Sequence, residues 1–173
     1  MVTAIRNEYQ NIGVDTYYIQ NADSYENPHS NFALNCLNAL WKDEFINVLD
    51  FASGDGLISK YLAKNKCCTI FGCDKFLHER YARETGNKSF NYSFEDVANG
   101  FANLPKVDVI VFSYAIDIVE KSYLNNLLYG LSVFSKYLIV IRPNNHSIDN
   151  FAWKEEKSVK FGKARGIIYS RTY

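Results

Sequence analysis

Apolar positions recur along this chain in two alternating rhythms. Phe32, Ala33, Cys36, Leu37 and Leu40 fall at offsets 0, 1, 4, 5 and 8, the stripe of an amphipathic helix over about 30–42. Ile46–Phe51 then reads as a strand, and Leu57, Ile58, Tyr61 and Leu62 open a helix over about 57–65. The run from Cys67 to Cys73 is nearly continuous in apolar residues, as expected of a strand buried on both faces. A helix over about 76–86 follows, stopped by Gly86. Ser89–Phe94 alternates as a third strand, and Glu95–Asn103 gives a short helix or loop closed by Pro105. Val107–Tyr114 is the most strongly apolar strand, Lys121–Ser135 a helix with five apolar residues on one face, and Tyr137–Ile141 a fifth strand stopped by Pro143. Ser147–Glu156 reads as one short helix. Ser158–Phe161 and Gly166–Tyr173 flank a Gly-Lys-Ala-Arg-Gly turn as a hairpin.

Strands that alternate with helices predict a parallel sheet covered on both faces. The expected architecture is α/β and doubly wound: a mostly parallel, seven-stranded sheet ending in an antiparallel hairpin. No linker or repeat interrupts it, so residues 1–173 read as one domain. Within it, 1–24 would be a lid or extension, 25–144 the core, and 145–173 a short helix and hairpin.

Composition narrows the picture. Hydrophobic residues at 47% and charged residues at 22% describe a globular protein, and no apolar run approaches a membrane span. Net charge is zero and no basic stripe stands out, which argues against a nucleic-acid footprint. Cys36, Cys67, Cys68 and Cys73 show neither a C-x-x-C pair nor zinc spacing, so no metal is expected. Reduced thiols and the absence of a secretory signal predict a cytoplasmic protein.

In an open parallel sheet, ligands bind beyond the carboxyl ends of the strands. The first strand ends in Asp50-Phe51-Ala52-Ser53-Gly54-Asp55-Gly56, a tight turn whose small residues let backbone N–H groups approach a ligand. The dinucleotide pattern G-x-G-x-x-G is not met there, which disfavours a nicotinamide enzyme. The second strand ends at Asp74, 18 residues after Gly56, beside Lys75. A carboxylate at that place can accept hydrogen bonds from both hydroxyls of a ribose. The third strand ends near Glu95-Asp96 and the fourth near Ser113-Tyr114.

These strand ends resemble the class I S-adenosylmethionine-dependent methyltransferases. Val48–Gly56 resembles that family's first motif, with Ala52 where a glycine is usual. Gly72-Cys73-Asp74, Phe94-Glu95-Asp96, Val107–Ala115 and Tyr137–Asn144 resemble the motifs that follow. The resemblance implies S-adenosyl-L-methionine as cofactor and S-adenosyl-L-homocysteine as product. It places Asp50 towards the methionine amino group. Ala52, Ser53, Gly54 and Gly56 would stand around the cofactor, Asp74 with Lys75 at the ribose, and Glu95 or Asp96 at the adenine amino group. Ser113 and Tyr114 would lie near the methyl, with Tyr17, Tyr18 and Tyr25 closing over the methionine end. His29, Tyr114, Asp117 and His146 are candidate bases, with no catalytic residue singled out. The Asn/Asp-Pro-Pro-Tyr signature of amino-methylating enzymes is absent after the fourth strand. A small-molecule acceptor is the first reading. A protein, peptide or RNA acceptor, or a non-catalytic module of the same fold, are the alternatives.

Overall fold

The core strand β1 (Asn47–Phe51) is flanked on one side by β2 (Thr69–Cys73) and β3 (Ser89–Phe90), and on the other by β4 (Val107–Ser113) and β5 (Ser135–Arg142). These five strands are parallel. The hairpin β6 (Trp153–Phe161) and β7 (Ala164–Arg171) completes a seven-stranded sheet, with β7 antiparallel to β5 and the order β3-β2-β1-β4-β5-β7-β6. In this computed structural model the described residues are 8, 10–21, 30–143 and 146–173. The helices are α1 (Val14–Asn21), α2 (Ser30–Leu40), α3 (Leu57–Asn65), α4 (His78–Thr85), α5 (Phe94–Ala98) and α6 (Leu124–Phe134), with a 3-10 turn over Ile116–Ile118.

Strand alternation sends successive side chains of β4 to opposite faces. Val109 and Val111 join Ala33, Cys36, Leu37, Ile58 and Leu62 under α2 and α3. Ile110 and Phe112 join Val97, Leu127, Leu128 and Leu131 under α5 and α6. The sheet is therefore clad on both sides, as the expected doubly wound architecture requires. Phe32 departs from the predicted stripe of its helix and stays 41% exposed.

Three elements differ from the sequence expectation, each for a local reason. No helix forms over Ser147–Glu156; Trp153 starts strand β6 instead. Lys154, Glu155, Glu156 and Lys157 are exposed, and charge of this kind is tolerated on an edge strand. The Trp153 indole meanwhile donates to the Leu128 carbonyl at 2.8 Å and anchors the strand. Strand β3 stops at Phe90 because Ser93 begins a helix: its hydroxyl accepts from Asp96 N–H, and the Asp96 carboxylate accepts from Ser93 N–H. Helix α6 starts at Leu124, three residues later than expected, after the 3-10 turn.

Strand order reverses between β1 and β4, since the chain first builds β2 and β3 outward and then crosses back. That switch point is where a crevice opens at the carboxyl ends of the strands.

Candidate active site

The turn after β1 is held in an unusual backbone shape. Ala52, Gly54 and Gly56 all have positive φ, at 56°, 54° and 78°. Glycine adopts that region without penalty, whereas an L-residue such as Ala52 spends about 1–2 kcal/mol there. Gly56 is required twice over, because a Cβ on it would sit 2.7 Å from Thr85 Cγ2. Ser53 N–H donates to the Cys73 carbonyl at 3.1 Å, which ties the turn to the end of β2.

Asp74 completes the tie. Its Oδ2 accepts from Gly54 N–H at 3.0 Å, and its Oδ1 accepts from Phe76 and Leu77 N–H at 2.9 and 2.8 Å. Two donors fill Oδ1, while Oδ2 keeps one lone pair. The carboxylate can thus take one ribose hydroxyl in this geometry, where the sequence reading allowed two. The same pair of bonds to Phe76 and Leu77 makes the tight turn that delays α4 to His78.

A cleft of about 280 Å³ opens above these strand ends. Of the residues singled out in the sequence, it brings together Ala52, Gly54, Asp74, Lys75, Glu95, Ser113 and Tyr114. Its floor is aromatic: Phe51, Phe94 and Phe112 contact one another with centroids 5.1–5.8 Å apart, and the first two line the cleft. A smaller recess of about 20 Å³ lies against the same turn and includes Asp50, Ser53 and Ser113. The hydroxyls of Ser53 and Ser113 are buried and have no hydrogen-bond partner among the described residues. Buried polar atoms of that kind are seldom left unpaired, and both border the space beside the turn.

The two acids after β3 are separated by the fold. Asp96 is turned back into its capping box, and its pKa is lowered chiefly by the Ser93 backbone N–H. Glu95 faces the cleft, where its Oε1 accepts from the Tyr123 hydroxyl at 3.1 Å. Tyr123 was not singled out by the sequence, and burial followed by Glu95 pushes its pKa up to about 12.

Asp50 points away from the main cleft. It is 2% exposed, and its Oδ2 accepts from Ser59 N–H at 3.2 Å and Ser59 Oγ–H at 2.7 Å. Ser59 Oγ in turn lies 2.7 Å from Tyr81 Oη. Burial drives the Asp50 pKa up to about 8 despite the two donors that lower it. Gly56 lines neither space and packs under α4.

Beyond β4, Tyr114 has φ of 55°, a rare value for a bulky residue, and its N–H donates to the Ile141 carbonyl at 2.7 Å. Desolvation pushes its phenol to about 12, so it stays protonated at neutral pH and is a poor base. Asp117 is ion-paired with Arg142, and His146 is exposed and accepts from Arg142 through its carbonyl. Tyr17 is buried in α1. Tyr25 and His29 lie outside the described residues. The cleft also takes in Asp15, Tyr92, Ile118 and Glu120. Asp15 and Lys75 form an exposed ion pair at 2.9 Å that links α1 to the end of β2. No sequence pattern marked Asp15 or Glu120, since neither sits at a strand end.

No family model and no curated protein matches the chain by sequence. Solved structures do match in three dimensions. The N-methyltransferase NodS from Bradyrhizobium japonicum, in complex with S-adenosyl-L-homocysteine, is 11% identical with a TM-score of 0.67, over 91% of this chain and 98% of that one. Magnesium protoporphyrin IX methyltransferase from Synechocystis, with bound SAM, is 13% identical with a TM-score of 0.64, over 98% and 96%. A TehB-like SAM-dependent methyltransferase from Corynebacterium glutamicum is 11% identical with a TM-score of 0.64, over 96% and 100%. The fold of this chain is the class I, Rossmann-like methyltransferase fold.

Proposed function

We propose that this protein is a methyltransferase that binds S-adenosyl-L-methionine in the cleft at the β1–β4 switch point and methylates a small molecule. The observation that carries the reading is the clasp at the strand ends. Asp74 holds Gly54 N–H and keeps one lone pair for a hydroxyl, while the unpartnered Ser53 and Ser113 hydroxyls face the adjoining recess. These residues fit an amino-acid-bearing nucleoside: Asp74 at the ribose, Glu95 at the adenine, and the recess with Asp50, Ser53 and Ser113 at the methionine end. The lid role of the first 24 residues has support in Asp15, which lines the cleft and pairs with Lys75.

When bound, the cofactor supplies an already activated sulfonium methyl. The task left to this chain is to hold the acceptor's lone pair in line and to exclude water. The aromatic floor of Phe51 and Phe94 and the walls at Tyr114, Ile118 and Tyr123 suit that task. Tyr114 contributes a hydroxyl that keeps its proton. Acids rather than bases stand on the rim, with Asp15, Glu95 and Glu120 against Lys75. That balance favours a small molecule or a peptide over an RNA backbone. Among the described residues no helix is long and apolar enough to cross a membrane. Its cysteines Cys36, Cys67, Cys68 and Cys73 are free, which supports a reducing, cytoplasmic setting.

Calorimetry with S-adenosyl-L-methionine, S-adenosyl-L-homocysteine and a nicotinamide dinucleotide tests the cofactor. Heat with either of the first two is expected; heat with the dinucleotide alone would overturn the assignment. Methyl-labelled cofactor supplied with cell extract then identifies the acceptor. Label on small metabolites is expected, label on protein or RNA would replace the acceptor class, and no transfer would leave a binding module.

A further inference from the structure

The hydrogen bond between Tyr123 and Glu95 joins two segments that are remote in sequence. Glu95 lies in the first turn of α5, just beyond β3; Tyr123 stands immediately before α6, beyond β4. Both line the cleft, and the Tyr123 hydroxyl donates to Glu95 Oε1 at 3.1 Å. Glu95 is an exposed residue on a short helix, and a free glutamate there would sample many rotamers. The neighbouring acid cannot substitute for it, because the Asp96 carboxylate accepts from both the N–H and the hydroxyl of Ser93.

A carboxylate only accepts hydrogen bonds, and with Oε1 already taking one bond from Tyr123 its Oε2 is the more open atom for a ligand. Tyr123 is half-buried, and with its pKa near 12 the phenol keeps its proton and remains a donor. The bond therefore fixes the acceptor character of the site as well as its position. Such a wall welcomes an exocyclic amino group and repels a carbonyl at the same place.

We propose that Tyr123 is a positioning residue that holds Glu95 for base selection, making the cleft selective for a 6-aminopurine over a 6-oxopurine. The proposal rests on the nucleoside reading given above and assigns to Tyr123 a role that neither the sequence motifs nor the fold implies.

The test is a set of four dissociation constants. S-adenosyl-L-homocysteine and its deaminated inosine counterpart are titrated into the wild type and into Tyr123→Phe, a change that keeps the ring and its packing. The wild type is expected to prefer the adenine ligand by about tenfold to a hundredfold, the range of one charge-assisted hydrogen bond. In Tyr123→Phe the adenine ligand weakens and the preference falls to a few-fold, while the inosine ligand binds as before or more tightly. Glu95→Gln, whose amide can present either a donor or an acceptor, is expected to lose the preference as well. Equal weakening of both ligands in Tyr123→Phe would reveal packing alone and overturn the proposal, as would an unchanged ratio. If the wild type binds neither ligand, the nucleoside reading falls and this proposal with it. If it binds the adenine ligand and the ratio ignores Tyr123, only this proposal falls.

Discussion

Replacing Asp50 with asparagine should make the protein more stable at alkaline pH, by an amount that grows with pH. The Asp50 carboxyl is buried, with a pKa raised from 3.8 to about 8. Desolvation is the largest cause, and nearby Asp74 and Asp55 add to it, against the donors of Ser59. Between those two values the folded state holds a proton that the unfolded chain has released. Stability therefore falls as pH rises, by up to about 1.4 kcal/mol per pH unit. The stabilising contribution of this proton is complete below about pH 4 and is lost as pH passes through about 8. Taken over the whole window, the loss is on the order of 5 kcal/mol, large beside a typical domain's stability. Asparagine resembles the protonated acid, and its carbonyl oxygen can still accept from Ser59 N–H and Oγ–H. Urea unfolding of wild type and Asp50→Asn at pH 5, 6, 7, 8 and 9 measures the gap between them. The gap should widen in favour of the variant up to about pH 8 and then level off. A constant gap from pH 5 to 9 would refute the reasoning, because it would mean that the two Ser59 donors suffice to keep the carboxylate ionised.

Ala52→Gly should stabilise the fold by about 0.5–1 kcal/mol, the left-handed strain at φ 56° outweighing the extra entropy of glycine in the unfolded chain. A lower urea midpoint in this variant would show that the methyl group's packing matters more. Asp74→Ala should weaken S-adenosyl-L-homocysteine binding at least tenfold by calorimetry, since a charge-assisted contact of about 1.5–3 kcal/mol is lost along with the clasp on Gly54. Unchanged affinity would remove Asp74 from the site. Ser93→Ala removes one half of the capping box and should cost about 1 kcal/mol in urea unfolding. A loss below about 0.3 kcal/mol would mean that Asp96 caps α5 adequately through the Ser93 N–H alone.

The strand ends were readable because their chemistry is local. Asp74 closes a buried apolar run, and the small residues after Asp50 stand between a strand and a helix, so a single sequence exposes both. Ala52, Gly54, Asp74, Glu95, Ser113 and Tyr114 meet around one cleft because five parallel strands all end on the same side. What stayed hidden depends on pairing across the chain. Lys154–Lys157 has no strand pattern of its own and becomes β6 only by lying beside β7. Tyr123 falls inside the helix expected over Lys121–Ser135 and carries no signal of its own there; its hydroxyl acquires meaning through Glu95, 28 residues away. The choice between Glu95 and Asp96 turned on Ser93, since the capping box takes up one acid and leaves the other to the cleft. Asp50 lines the small recess, and the further contact of its carboxylate with Ser59 on α3, one helical turn beyond the glycines, is one that no strand-end pattern announces.

Among the described residues, two other than glycine hold positive φ, and both stand at the switch point: Ala52 after β1 and Tyr114 after β4. Their strands are direct neighbours, with Phe51 opposite Phe112 in register. Each strained residue also borders the main cleft. Strain of this kind costs about 1–3 kcal/mol per residue and persists only where the surroundings over-determine it. Here the surroundings do so: Ser53 N–H is fixed to Cys73, Gly54 N–H to Asp74, and Tyr114 N–H to Ile141. Those three bonds turn the backbone at both exits, and Ser53 and Ser113, one beside each strained residue, carry buried hydroxyls that lack a partner among the described residues. A packed core gains nothing from unpaired hydroxyls next to strained turns. A ligand that accepts from or donates to both would stabilise that arrangement, and the proposed nucleoside with an amino-acid tail carries polar groups able to do so.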